Sequence, residues 1–410
     1  MQPEPLQHYY SRYPHNTGAA ELHTPLPAHL KFFPELLRQN GYFSALLAKW
    51  HEGESTRRAY DTLITGVDKN GTGGEAQWIN VLRYRPKNKP FFLWLAPFDA
   101  HRPWSDDNMD THHHHDPHKI RVPGTLVDDS ATRNDLVAYY NEIGRLDTYI
   151  GKLQEELEAQ GIADNTMIIF IGDNGRAFPG SKTRLYDRGI KTPFIIKWKN
   201  EITGGQKTNA LVSSIDIAPT LLECAGIASP ATVQGVSFKS LFTKPATSFR
   251  HYIFAEHNWH DYSAYERCVR TDRYLYILNK RPEWDNGGPI DANQSPSAQS
   301  LRAALKRGEL DSLQLDAYIK PRPPEEFYDN TSDPLQQRNL VNDKTYTGAI
   351  DSLRKILQQW RDQTADTYPS ALTADWYDRN TADSLPALGK RGEMPGASKK
   401  ADTVNAKGIF

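Results

Sequence analysis

The chain has 410 residues, enough for two or three domains or for one large domain with an appendage. Its net charge of −1 gives no electrostatic case for nucleic acid or for an anionic membrane surface. No apolar run is long enough to span a bilayer, and MQPEPLQHYY lacks the apolar core of a signal peptide. Nine Trp, twenty Tyr and fifteen Phe, with abundant Asp, Asn, His and Arg, suit a surface that handles carbohydrate. The two cysteines, Cys224 and Cys268, give no disulfide framework.

In chain order, His15 to Gly18 is turn-like. Leu30, Phe33, Leu36 and Leu37 stand at helical spacing, and Asn40-Gly41 stops that helix. Tyr42 to Ala48 reads as a strand that runs out into Lys49-Trp50-His51. Phe91 to Ala96 is a second buried-strand candidate, ending in Pro97 to Trp104 with His101 and Arg102. Asp110 to His118 carries four consecutive histidines, His112 to His115. Such a run can bind metal, but polar runs of this kind more often mark a solvated loop.

Asp135 to Gln160 is the clearest helix, with Ile143, Leu146, Ile150, Leu153 and Leu157 on one stripe and Gly161 as its stop. Met167 to Ile171 follows, a short β-branched run that suits a strand buried in a parallel sheet. It ends in Gly172-Asp173-Asn174-Gly175, then Lys182 and Arg184. Taken alone, Asp-Asn-Gly is a turn. At the carboxyl end of a strand, where ligands collect in α/β sheets, a carboxylate and an amide oxygen also suit a hard cation such as Ca²⁺, with Lys182 and Arg184 meeting an anion beside it. Lys191 to Trp198 is another strand, and Ile215 to Cys224 a helix. The alternation predicts an α/β domain with a mainly parallel sheet flanked by helices.

From about His251 the pattern changes. Tyr252 to Glu256 reads as a strand, and Arg267 to Thr271 with Tyr274 to Leu278 as a hairpin. Asp285 to Pro296 is a Gly/Pro/Asn-rich loop, while Leu301 to Tyr318 and Leu353 to Trp360 look helical. These features predict a smaller C-terminal α+β subdomain. The expected division is a core over 13–248, an antiparallel subdomain over 249–370 and a flexible tail over 371–410.

Several segments together resemble the type I sulfatases of the alkaline phosphatase superfamily. They are YPHNTG (Tyr13–Gly18), GYFSALLAKWH (Gly41–His51), FFLWLAPFDAHRPW (Phe91–Trp104), NTMIIFIGDNG (Asn165–Gly175), IDIAPTLLECAGI (Ile215–Ile227) and EEFYDNTSDPLQQRNL (Glu325–Leu340). DAHRPW and FPGSKTRLYD resemble the sulfamidase branch, which acts on N-sulfated glucosamine of heparan-type glycans. The resemblance implies that Asp173 and Asn174 are Ca²⁺ ligands and that Lys49, His51, His101 and Lys182 hold sulfate and handle protons. It implies that Arg102, Arg184, His257 and His260 lie on the substrate side. It also implies a sulfated glycan as the partner and, for full-length members, a periplasmic or secreted location.

Two family features are missing from this sequence. There is no C-x-P-S-R segment, whose Cys or Ser becomes the formylglycine nucleophile, and no earlier Asp pair to complete the metal site. Both belong upstream of YPHNTG. One choice of codons for Met1–Tyr10, read one nucleotide on, spells C-S-P-S-R-C-S-I-I. The expectation is thus a frameshifted, N-terminally truncated sulfatase that is inactive alone, with apolar sheet surface left uncovered. The alternatives are a phosphatase or phosphonate hydrolase of the same superfamily, or a non-catalytic glycan-binding remnant.

Overall fold

The computed structural model describes residues 11–104, 114–286 and 288–410. Met1–Tyr10, on which the frameshift reading rests, lies outside the described residues, as do His112 and His113 of the histidine run.

Helix α1 (Phe33–Gln39) opens with Pro34 in its first turn, where a missing N–H costs nothing. Gly41, at φ +89°, turns the chain into β1 (Phe43–Ala48). β1 is buried throughout and forms the centre of a parallel sheet between β2 (Thr62–Thr65) and β3 (Phe91–Ala96). Successive side chains of β1 face opposite ways. Phe43, Ala45 and Leu47 pack on helix α2 (Trp78–Tyr84), while Leu46 meets Leu30, Phe32 and Tyr60 on the other face.

Helix α3 (Ser130–Ala159) starts before its apolar stripe does. The Asp129 carboxylate accepts from the Thr132 amide at 2.8 Å and caps that polar first turn. The helix leads to β4 (Ile168–Ile171), which pairs antiparallel with β5 (Phe194–Lys197). This corrects the expectation that both strands extend a parallel sheet. A parallel pair needs a crossover over the sheet, whereas residues 172–193 double back at the strand ends. Ile168 and the β3 residues Phe91, Leu93 and Leu95 share one apolar floor of Leu82, Leu153 and Leu157. Yet β3 ends its sheet and β4 ends its pair, so their free edges have no strand partner among the described residues. Both strands are only half-buried.

Helix α4 (Ile217–Cys224) follows a capping box made by Ser213 and Asp216. Beyond it, β6 (Ile253–His260), β7 (Tyr262–Arg270), β8 (Tyr274–Asn279) and β9 (Glu325–Asp329) form an antiparallel sheet in sequential order. Helix α5 (Pro296–Arg307) is inserted between β8 and β9. The expected helix over 301–318 is cut short because Gly308, at φ +68°, takes the left-handed cap position. Helix α6 (Thr347–Gln363) covers one sheet face, where Ile350, Leu353, Leu357 and Trp360 meet Phe254, Val269, Tyr276 and Phe327. Cys268, Leu275 and Ile277 turn the other way, onto Leu185 and Tyr186 of the loop after β4. The molecule is therefore an α/β fold with a parallel sheet, helices and a C-terminal antiparallel subdomain. Cys224 and Cys268 are free thiols.

The segment from residue 371, expected as a flexible tail, is docked. Buried Arg12 donates to the carbonyls of Asp402 and Val404 and to Asn405 Oδ1, and Trp376 packs edge-on to Trp259 at 4.5 Å. Low apolar content misled the expectation: the anchor is a guanidinium satisfied by main-chain oxygens.

Candidate functional site

Three strand ends deliver the central side chains. β1 runs into Lys49 and His51, β3 into the loop with His101, and β4 into Asp173 and Asn174. Gly175 lets this last loop fold tightly, since a Cβ there would sit 2.2 Å from the Arg188 carbonyl oxygen.

Lys49 Nζ lies 3.6 Å from Asp173 Oδ2. Lys182 Nζ and His101 Nε2 lie 3.2 Å and 3.7 Å from one oxygen of Asp291. Asp173 keeps solvent access; the protein beside it works to raise its carboxyl, but the charges of Lys49 and Lys182 outweigh that and hold it below the ordinary value. The same balance lowers Asp291, where burial works to raise the carboxyl and the Lys182 ammonium is the strongest charge against it. His101 Nδ1 sits 2.6 Å from the Arg102 carbonyl oxygen. A carbonyl only accepts, so Nδ1 carries the proton and the neutral ring turns a bare Nε2 toward Asp291. Its pKa is lowered, by the surrounding protein first and then by Lys182 and Lys49. His51 has solvent access at the rim, yet the protein beside its ring and the neighbouring Lys49 push it down to about 4.

The C-terminal sheet supplies a second pair of imidazoles. His257 Nδ1 is 3.0 Å from Glu266 Oε2, and His260 Nδ1 is 3.0 Å from Asp261 Oδ2. Burial pushes His257 down to about 3, and Glu266, held against burial chiefly by its bond to His257, falls to about 2. The pair is thus a neutral imidazole donating to a carboxylate, which leaves the buried His257 Nε2 without a partner among the described residues.

Two predicted arginines are absent from this cluster. Arg102 makes a bidentate pair with Asp135, both bonds 2.7 Å, between the rings of Trp104 and Phe178. Arg184, 1 % exposed along its side chain, meets Asp316 at 2.7 Å. Each finds its anion inside the protein. Asp291, Asp261 and Glu266 join the cluster from positions that carry no motif. Asp291 sits in the Gly/Pro/Asn-rich stretch, where no spacing marks one carboxylate above another.

Ca²⁺ takes six to eight oxygen ligands. The described residues offer one carboxylate at Asp173 and the Asn174 amide, whose Nδ2 already donates to the Gly175 carbonyl at 2.6 Å. With the Lys49 ammonium beside Asp173 as well, this donor set does not fit the ion. Elsewhere, His15, Glu256 and Asp366 bring ligand atoms within 4.8 Å of one another. There the Arg267 guanidinium sits 2.8 Å from Asp366 and 3.4 Å from Glu256, so an internal cation already fills the cluster. His114 and His115, the described part of the histidine run, are exposed.

Residues 7–227 match the family model described as Sulfatase, and residues 180–299 match "N-sulphoglucosamine sulphohydrolase, C-terminal". An ulvan-active sulfatase of Formosa agariphila is 33 % identical over 243 residues, covering 59 % of this chain and 40 % of that protein. Human N-sulphoglucosamine sulphohydrolase is 26 % identical over 385 residues, covering 83 % of this chain and 76 % of that enzyme. Among solved structures, one bound to its substrate D-glucosamine-2-N,6-O-disulfate superposes with a TM-score of 0.66 at 18 % identity, over 88 % of this chain and 87 % of that one. A phosphonate monoester hydrolase from Silicibacter pomeroyi superposes with a TM-score of 0.65 at 16 % identity, over 88 % of this chain and 86 % of that one.

Proposed function

The chain belongs to the sulfatase family of sulfuric ester hydrolases, and from that premise we propose that it recognises the sulfated end of a glycan, N-sulfated glucosamine of a heparan-type chain being the favoured sugar. The observation that carries this reading is the convergence of Lys49, His101, Lys182 and His260 around Asp173 and Asp291. The match of residues 180–299 to the N-sulphoglucosamine sulphohydrolase C-terminal model supports the choice of sugar.

In this reading Lys49 and Lys182 take the peripheral sulfate oxygens, where negative charge resides. His51 and His101 serve the nitrogen or oxygen that bears the sulfuryl group. Both have lowered pKa values. A bound anion raises them again, because it favours imidazolium, so binding itself readies an N–H donor. His257 and His260, oriented by Glu266 and Asp261, meet the sugar.

Turnover is another matter. The sequence has no C-x-P-S-R nucleophile segment, and Asp173 with Asn174 gives too few donors for Ca²⁺. The proposal is therefore binding without catalysis by this chain alone, in the periplasmic or secreted setting expected for its family. Calorimetry with N-sulfoglucosamine should detect binding, and a single-turnover assay should detect no sulfate release. Release of sulfate overturns the inactivity, and absence of binding overturns the recognition. A phosphate or phosphonate ester bound in preference to the sulfated sugar would move the assignment to the phosphonate hydrolase side of the superfamily.

A further inference from the structure

Beside His257 lies a cavity of about 420 Å³, a size suited to a sugar ring. Its wall includes Arg281, Trp284, Arg302, Lys306 and Arg379, with Thr183, next to Lys182, on the side of the sulfate cluster. The cations differ in what they are already doing. Arg379 is held by Asp375 at 2.7 Å, and Arg281 pairs with Glu283, an exposed carboxylate. Arg322, also in the wall, is held by Glu326 and Asp316. Arg302 gives one N–H to the Asn293 carbonyl oxygen at 2.8 Å and meets no carboxylate among the described residues. Lys306 has no ion-pair partner among them either. These two stand one turn apart on α5, where like charges repel each other. The acids in the wall are Glu266, committed to His257, and Asp285, 3.8 Å from Arg379. The cavity thus has cationic charge left over on the α5 side. His257 Nε2, 4 % exposed as a residue and without a partner among the described residues, adds a buried acceptor in the same wall.

We propose that this cavity is a second anion subsite, in which Arg302 and Lys306 bind a further carboxylate or sulfate of the same saccharide. The proposal rests on the recognition reading above and adds its substrate class: a polyanionic sugar, read at two points. The neutral His257 Nε2 accepts from a sugar hydroxyl between them. A neutral glycan would leave the α5 charges uncompensated.

The test is calorimetry on this chain with four probes at constant ionic strength. They are N-sulfoglucosamine, its 2-N,6-O-disulfated form, a disaccharide with N-sulfoglucosamine joined to a uronate, and the carboxyl-reduced form of that disaccharide. The expected result is about tenfold tighter binding of the disulfated sugar or of the uronate disaccharide than of N-sulfoglucosamine. Which of the two gains identifies the anion as sulfate or carboxylate. Arg302→Ala and Lys306→Ala together should remove that gain and leave N-sulfoglucosamine binding unchanged. Lys306 is exposed and Arg302 half-buried on α5, so an unchanged melting temperature would confirm the fold. The proposal is overturned if neither doubly anionic probe gains, or if the double variant keeps the gain. If N-sulfoglucosamine alone fails to bind while the uronate disaccharide still outbinds its reduced form through Arg302 and Lys306, the cavity stands and the sulfate cluster falls.

Discussion

Asp291→Asn should tighten sulfate binding. Lys182 Nζ and His101 Nε2 both face the Asp291 carboxylate, at 3.2 Å and 3.7 Å. Its pKa is lowered, so it is ionised at neutral pH and neutralises the ammonium that an incoming sulfate needs. A sulfate on the same ammonium would sit about 6 Å from the carboxylate, two ion-pair contacts away. Repulsion between a dianion and a carboxylate at that distance is ~1.4 kcal/mol even at the dielectric of water. The side chain is 19 % exposed, so screening is incomplete. The amide keeps the shape and removes the charge, for a gain of about tenfold in affinity. Titration of sodium sulfate into both proteins at fixed ionic strength measures it directly. Unchanged affinity would refute the competition argument. Weaker binding would mean that Asp291 holds Lys182 in place for the anion rather than opposing it.

Acid should destabilise the fold through His257 and Glu266. His257 is lowered from 6.5 to about 3, so the unfolded chain binds the extra proton across that window and stability falls as pH drops through it. Glu266, lowered from 4.5 to about 2, acts in the same direction at the acid end. Urea unfolding at pH 7 and pH 5 should show the loss, and His257→Gln should flatten the slope; an equal slope in the variant would refute this source. Asp135→Ala leaves the Arg102 guanidinium buried without its carboxylate and should cost about 3–5 kcal/mol by urea unfolding; a cost below about 1 kcal/mol would contradict the ion-pair account. Millimolar Ca²⁺ should leave the melting temperature unchanged, because the donors that the described residues bring to Asp173 are too few; a rise of several degrees would reveal a site that binds the folded state. Arg12→Ala should expose the segment after Pro386 to limited proteolysis, and an unchanged cleavage pattern would mean that Arg12 does not anchor it.

Much of the candidate site was legible in order along the chain. Short apolar runs ending in Lys49, His101 and Asp173 marked strand ends, since a strand that stops at Gly or Pro must present its next polar side chains at the sheet edge. The same logic failed for Arg102 and Arg184. A sequence does not say whether a cation meets a ligand or an internal carboxylate, and Asp135 and Asp316 lie 33 and 132 residues away from them. Strand existence was readable from β-branched apolar runs, but strand direction was not. β4 and β5 look like parallel-sheet strands by composition and pair antiparallel, because pairing depends on where the intervening loop returns.

Residue type and periodicity are local properties, and they determined the elements, the family motifs and the candidate chemistry at each strand end. Distance between remote side chains is a property of the packed chain. Only the tertiary structure brought Asp291 to Lys182 and His101, set Glu266 behind His257, filled the His15 cluster with Arg267, and docked the C-terminal segment on Arg12. Each is a charge or polar group that had to find its partner across the fold, since leaving it buried and unpaired costs more than the chain can bear.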